Sequence, residues 1–395
     1  MGKVLFISNG HGEDLNASLI AETLQRLYPH LELSAMPLVG EGNAYRRHGI
    51  PIICPTRSLP SGGFIYMGWQ QLWSDLTGGL VGLTWQQFRC IRQARQSKSY
   101  DLVVAVGDIV PLIFAYLNNV PFVSYLVSTS AYYENKLILS LTVRWILKSG
   151  QCLRILTRDH YTAKLMLEKG FKHTVCLGYP IMDVLHPQGK DLHLRAEEAV
   201  ICLLCGSRLP EAQANLLLLL QVVDLAQQLQ LNWQFRAAIV PQMAGQVLQA
   251  VAAMAGWSYT KQTDWEVITN QQSGAEIYCF NNAFADILHR ADVVLGMAGT
   301  AIEQAVGLGK PVVQLVGKGP QFTYRFAEAQ QRLLGESVQT CTKPEIAVAL
   351  IQKALSDPAY QERCKINGQE RVGGAGGAEK IAREIAELLG VVAHE

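Results

Sequence analysis

No run of about 18 apolar residues occurs in this chain of 395, so no membrane-spanning helix is expected. Net charge is almost absent too: the formal balance is +1, and no overall field recommends nucleic acid as a partner. Asp-x-Asp occurs nowhere, so the carboxylate pair that usually holds a metal-bound sugar nucleotide is missing. There is no G-x-x-x-x-G-K-S/T, which removes the P-loop ATPases, and the first turn lacks the G-x-G-x-x-G spacing of dehydrogenases. The nine cysteines are scattered, many inside apolar runs, as in a reducing compartment. Cys202 and Cys205 form a C-x-x-C, but within a strand-like run they point to opposite faces, so neither metal nor redox chemistry is expected there. The strand-like Lys3-Val4-Leu5-Phe6-Ile7 begins almost at Met1. No signal peptide is therefore expected, and the expected location is cytoplasmic, free or peripheral on the inner face of a membrane.

What the chain has is a generous apolar core, 49% hydrophobic against 17% charged residues, at a length that favours two domains. Short β-branched runs alternate with amphipathic stretches, which reads as an α/β fold with parallel sheets. The first half offers strands at Val4–Ser8, Leu31–Met36, Leu102–Val106, Phe122–Leu126, Arg154–Thr157 and Val175–Leu177. The second half offers Val200–Cys205, Gln234–Ile239, Ala275–Phe280, Val293–Gly296 and Val312–Val316. Each set opens with a glycine-rich turn after its first strand, so two Rossmann-like domains facing a central cleft are expected. The expected divisions are 1–187, 188–372 and a C-terminal helical segment, 373–395, packing back towards the first domain.

The most informative stretch is Gly299-Thr300-Ala301-Ile302-Glu303, between a strand and a helix. Free N–H groups and the macrodipole at a helix start favour an anion, and glycine admits a phosphate closely. Glu303, one turn on, is placed to accept from a ribose. An ordinary strand-turn-helix with a capping threonine fits the same residues. Gly206-Ser207-Arg208 follows another strand and reads as a diphosphate turn, with Arg208 offsetting charge on a departing phosphate. Lys318 and Gln321 follow the last strong strand and suit phosphate and sugar hydroxyls; a solvated lysine in a turn suits the pattern equally.

In the first half, Asn9-Gly10-His11-Gly12-Glu13-Asp14 links a strand to a helix. Asp14 is either a helix N-cap or a group at the mouth of the site, and His11 either a base or an exposed loop residue. Asp108, at the end of Val103–Val106, reads as a general base with a raised pKa or as another N-cap. Residues 64–95 bring Phe64, Ile65, Trp69, Trp73 and Trp85 near Arg89, Arg92 and Arg95. That mixture suits a membrane interface or an acyl-chain pocket, or else a helix packed on the sheet.

In this order, these motifs resemble the lipid-A-disaccharide synthases, glycosyltransferases of the GT-B fold, over nearly the whole chain. Leu204-Cys205-Gly206-Ser207-Arg208 is similar to the family's Leu-Pro-Gly-Ser-Arg, and Ala298–Glu303 to its Ser-Gly-Thr-Ala-Thr-Leu-Glu. Gly178-Tyr179-Pro180 through Asp183 resembles Gly-His-Pro-Leu-Ala-Asp, and Asp108 falls where the family carries its proposed base. The Gln321 region resembles the donor-sugar glutamine of the related enzyme that makes lipid II. The family's Gly-Glu-Pro-Ser-Gly-Asp is shortened here to Gly10–Asp14, and both tryptophans of its Pro-Ser-Val-Trp-Ala-Trp are missing from Ser128–Tyr133. The resemblance thus implies a divergent branch: an inverting, metal-independent transferase with no cofactor, a UDP-sugar donor and a lipid-linked or amphiphilic acceptor. A UDP-sugar 2-epimerase and a non-catalytic sugar-nucleotide-binding protein are the alternatives.

Overall fold

The computed structural model describes residues 2–56, 80–96, 99–317 and 322–391. The chain divides into two compact units, Met1–Asp183 with Ala375–Glu395, and Val184–Gly374. Among the described residues, no helix is long and apolar enough to cross a membrane.

The first unit is built on six parallel strands in the order β2-β1-β3-β4-β5-β6. They are β1 (Lys3–Ser8), β2 (Glu32–Pro37), β3 (Leu102–Val106), β4 (Phe122–Leu126), β5 (Cys152–Thr157) and β6 (Thr174–Cys176). The central strands are continuous apolar runs because both faces of a parallel sheet are covered. Leu5, Phe6 and Ile7 are wholly buried, each contributing about 2 kcal/mol of transfer free energy. Helix α1 (His11–Leu27) connects β1 to β2, and α2 (Asn43–Arg47) follows β2. Three more, α3 (Leu80–Gln96), α4 (Ile109–Asn118) and α5 (Leu141–Leu147), lie on the connections leading to β3, β4 and β5. α6 (His160–Glu168) joins β5 to β6. Right-handed crossovers put α3 to α6 on one face and α1 on the other.

The chain returns to this unit at its end. Helix α14 (Gly377–Leu388) packs on α1, burying Ala378, Ile381, Ala382 and Ile385, a stripe at i, i+3, i+4 and i+7. Asp183 fixes its start: the carboxylate accepts from the backbone N–H groups of Gly376, Gly377 (3.3 Å) and Ala378 (2.6 Å). Two segments far apart in sequence, Gly178–Asp183 and Gly376–Ala378, thus meet within this unit.

The second unit carries eight strands in the order β14-β13-β12-β7-β8-β11-β10-β9. The parallel part comprises β7 (Ala199–Leu204), β8 (Trp233–Ala238), β11 (Glu276–Phe280), β12 (Val293–Gly296), β13 (Val312–Leu315) and β14 (Val338–Cys341). Beyond the parallel part, β9 (Ser258–Lys261) and β10 (Glu266–Thr269), two strands the sequence did not reveal, extend the sheet as an antiparallel hairpin. Its outer strand is largely solvent-facing, so it needs no apolar alternation to form. Helices α7 (Glu211–Gln228), α8 (Gln246–Met254), α9 (Phe284–Arg290), α10 (Thr300–Gly307), α11 (Tyr324–Leu334), α12 (Pro344–Ser356) and α13 (Pro358–Arg371) complete it. The incoming chain is pinned by Asp286, whose Oδ1 accepts from the N–H groups of Gln188, Gly189 and Lys190 at 2.9, 2.8 and 3.1 Å.

Candidate functional site

At the carboxyl ends of β1, β3 and β4, the first unit gathers three carboxylates. Helix α1 starts at His11 with Gly10 as a cap that makes no side-chain bond, so Asp14 is not the N-cap but a buried first-turn residue. It accepts from Ser8 Oγ at 2.6 Å, and Ser8 Oγ in turn lies 2.7 Å from Tyr45 Oη. Burial pushes the Asp14 carboxyl up to about 7, against the opposing Ser8 bond. Burial also raises the Tyr45 phenol, with the Asp14 charge adding to it.

Asp108 is an N-cap, and its pKa is raised as well. It caps α4, accepting from Val110 N–H at 3.0 Å, and burial still holds its pKa above the usual range against the Val110 and Asn9 hydrogen bonds. His11 is exposed at the start of α1.

Glu13 is the member that sequence reasoning missed. Its Oε2 accepts from Asn9 N–H at 3.0 Å, and its Oε1 accepts from Ser128 Oγ. Gly107 has φ +136°, and a Cβ there would lie 2.5 Å from Glu13 Oε2, so only glycine admits the carboxyl beside Asp108. Burial, then the Asp108 charge, raises Glu13 well above the carboxylate range, while the Ser128 and Asn9 bonds oppose. The one visible signal of Glu13 was adjacency to Asp14 in the first loop.

In the second unit the two predicted turns leave adjacent strands. Strands β7 and β12 are neighbours, and Met297 N–H donates to Leu204 O at 2.7 Å just beyond them. Gly206 has φ +93°, and a Cβ there would stand 3.0 Å from Met297 O, so the close approach requires glycine. Asn215 braces the first turn by donating to Cys205 O at 3.0 Å. Gln330 braces the second, donating to Gly299 O at 3.0 Å and Ala298 O at 3.3 Å. Thr300 opens α10 and is not its cap: Gly299 holds that place, with no side-chain hydrogen bond to the first N–H groups. Ser207 is exposed, and Arg208 and Glu303 are half-buried. Burial lowers Arg208, opposed by Glu211. A guanidinium in the turn after β7 and, on the adjacent strand's turn, a helix start with no side-chain cap each suit a phosphate. Lys318 and Gln321 lie outside the described residues, as do Phe64, Ile65, Trp69 and Trp73.

A cavity of about 310 Å³ opens near the carboxyl ends of β8 and β11, one and two strands from β7, and was not foreseen. The tip of the β9–β10 hairpin encloses it with Trp265 and Glu266, facing Ile239, Gly245, Asn281 and Asn282. Both Glu266 oxygens accept from Gly245 N–H at 3.0 Å, which holds the hairpin over the cavity. Cys202 and Cys205 are buried, and burial pushes the Cys205 thiol up to about 12, far from thiolate chemistry.

No protein-family model matches the chain, and no curated protein matches it. Solved structures do. The calicheamicin glycosyltransferase CalG4 superposes with a TM-score of 0.63 at 17% identity, covering 100% of both chains. Acinetobacter baumannii MurG gives 0.59 at 16% identity, covering 98% of this chain and 100% of its own. The UDP-GlcNAc 2-epimerase from Neisseria meningitidis, solved with UDP-GlcNAc bound, gives 0.56 at 14%, covering 98% and 99%. Likeness at this identity defines the architecture: an α/β protein of the GT-B fold, with two Rossmann-like domains.

Proposed function

We propose that the protein is an inverting, metal-independent glycosyltransferase that moves a sugar from a UDP-sugar to a lipid-linked or amphiphilic acceptor. It belongs, in this reading, to a divergent branch beside the lipid-A-disaccharide synthases. The observation that carries the reading is that the Gly206–Arg208 turn and the uncapped Gly299–Thr300 helix start leave adjacent strands, with Gly206 close against Met297 O and Glu303 one turn into the helix. That pairing offers a diphosphate two sets of N–H donors, a cation and a ribose acceptor. The cavity beside Trp265 and Asn281 has room for the base, nearby along the same sheet edge.

In the reaction, Asp108 removes the acceptor hydroxyl proton as that oxygen attacks the anomeric carbon. The bond from that carbon to the diphosphate breaks, and Arg208 with the α10 start takes up the charge of the leaving UDP. Its raised pKa makes Asp108 a stronger base than an exposed aspartate.

Likeness to the N. meningitidis enzyme supports a second reading, UDP-sugar 2-epimerisation. The test is product analysis with and without acceptor lipids, in excess chelator. UDP release that requires acceptor and survives EDTA supports the transferase. Interconversion of the UDP-sugar without acceptor supports the epimerase, and binding without turnover supports a sugar-nucleotide-binding protein.

A further inference from the structure

All nine cysteines are free thiols, and all but Cys90 and Cys176 are fully buried. Cys90 lies on α3, at the edge of the inward stripe made by Leu83, Gln87 and Ile91. The buried Gln87 fixes where that stripe lands: its Nε2 donates to Leu38 O at 2.7 Å and to Pro55 O at 3.2 Å. Helix α3 is thus tied to the residue next to Cys54, one turn before Cys90. There the two thiols meet, hydrogen-bonded to each other. Cys54 is 6% exposed within the core of the first unit, and Cys90 is half-buried against that core. Burial pushes the Cys54 thiol up, and its Cys90 neighbour adds to the rise. Cys176, the other half-buried cysteine, has Gly178 and Thr157 as its hydrogen-bonding neighbours instead.

A thiol that senses oxidants needs access to solvent and a second sulfur within reach on a fixed backbone. Cys90 has the access, Cys54 is the second sulfur, and the Gln87 bonds hold the two segments together. We propose that Cys90 and Cys54 are a redox-active dithiol that exchanges with a small disulfide such as glutathione disulfide, Cys90 attacking and Cys54 resolving. Cys90, on losing its proton, attacks one sulfur of glutathione disulfide; that S–S bond breaks, and the departing glutathione thiolate takes up a proton. Cys54 then loses its proton, attacks the Cys90 sulfur of the mixed disulfide and expels the second glutathione, which is protonated in turn. Two protein thiols give up two electrons and two protons, and one glutathione disulfide becomes two glutathione thiols. The new bond joins α3 to the segment that follows β2. In that segment Leu38 N–H donates at 2.8 Å to the carbonyl of Ser8, the residue whose hydroxyl holds Asp14. Closing the chain between Cys54 and Cys90 restricts the unfolded state more than the folded one, so oxidation stabilises the first unit.

The inference stands apart from the transferase reading, since its readouts are peptide masses and melting, not turnover. The full chain, equilibrated with glutathione and glutathione disulfide in varied ratio, is trapped with a thiol alkylator and digested without reduction. The wild type should yield a cross-linked peptide pair joining Cys54 to Cys90, lighter by two hydrogens than its parts, and dithiothreitol should reverse it. The oxidised protein should melt at a higher temperature than the reduced one. Cys54→Ala should stop at a glutathione adduct on Cys90, and Cys90→Ala should leave Cys54 free; neither should show the rise in melting temperature. Cys176→Ala should form the same cross-link as the wild type. If a variant fails to fold, the wild-type peptide map decides alone. Cys54 and Cys90 both trapped as free thiols in excess glutathione disulfide overturn the proposal, as does a cross-link that forms only in urea.

Discussion

Replacing Asp14 with Asn should make the folded protein more stable above neutral pH and change how stability depends on pH. The carboxyl is buried with a pKa of about 7, against an ordinary value of 3.8. Because that folded pKa is raised, the native state binds the proton more tightly than the unfolded chain. The stabilisation is complete below about pH 4 and is lost as pH rises through about 7. Across the full shift of about three units, linkage sets the loss at about 4 kcal/mol, an upper bound for one group. Between pH 5 and 8 it amounts to roughly 2–3 kcal/mol. Asn keeps an oxygen to accept from Ser8 and cannot ionise, so the difference between the two proteins isolates this titration. Urea unfolding of both at pH 5, 6, 7 and 8 measures it, read from a probe in the first unit because two units need not unfold together. The wild type should lose roughly 2–3 kcal/mol relative to the variant over that range. Stability curves that run parallel would show that Asp14 is ionised in the native state at pH 5, and the burial argument would fail.

Two further outcomes follow from single residues. Asp108→Asn keeps the acceptor oxygen that caps α4 but removes the base; transfer should fall about 10²- to 10⁴-fold while calorimetry shows UDP affinity unchanged. A parallel loss of UDP binding would mean that Asp108 acts on the donor or on folding. Asp183→Ala strands three N–H groups at the start of α14 and should weaken its docking by about 1–3 kcal/mol, seen as faster amide exchange over Gly377–Leu388. Unaltered exchange there would assign the helix's hold to its apolar stripe alone.

The sequence patterns that proved legible were those written in burial. Val103–Val106 and Val293–Gly296 read as strands because both faces of each are covered, leaving an unbroken apolar run. Gly206 stood out because its turn at a strand end needs glycine. The hairpin over the cavity was not legible: Ser258–Lys261 is mostly solvent-facing, so nothing forces a period of two on it. Glu13 and Tyr45 were invisible for another reason. Their meaning comes from groups at other strand ends, Ser128 and Gly107 for one and Ser8 for the other, and no local pattern encodes such a meeting. Asp14 misleads in the same way, since a carboxylate beside a helix start looks like a cap whether or not it makes the bond.

The account rests most directly on a nucleoside diphosphate binding in the second unit, and calorimetric titration with UDP tests that. The wild type should bind a single equivalent. Glu303→Ala and Arg208→Ala should each weaken binding by about 1–3 kcal/mol, the cost of losing a hydrogen bond to or from a charged group. UDP binding with the same affinity to all three proteins, or to none of them, would contradict it.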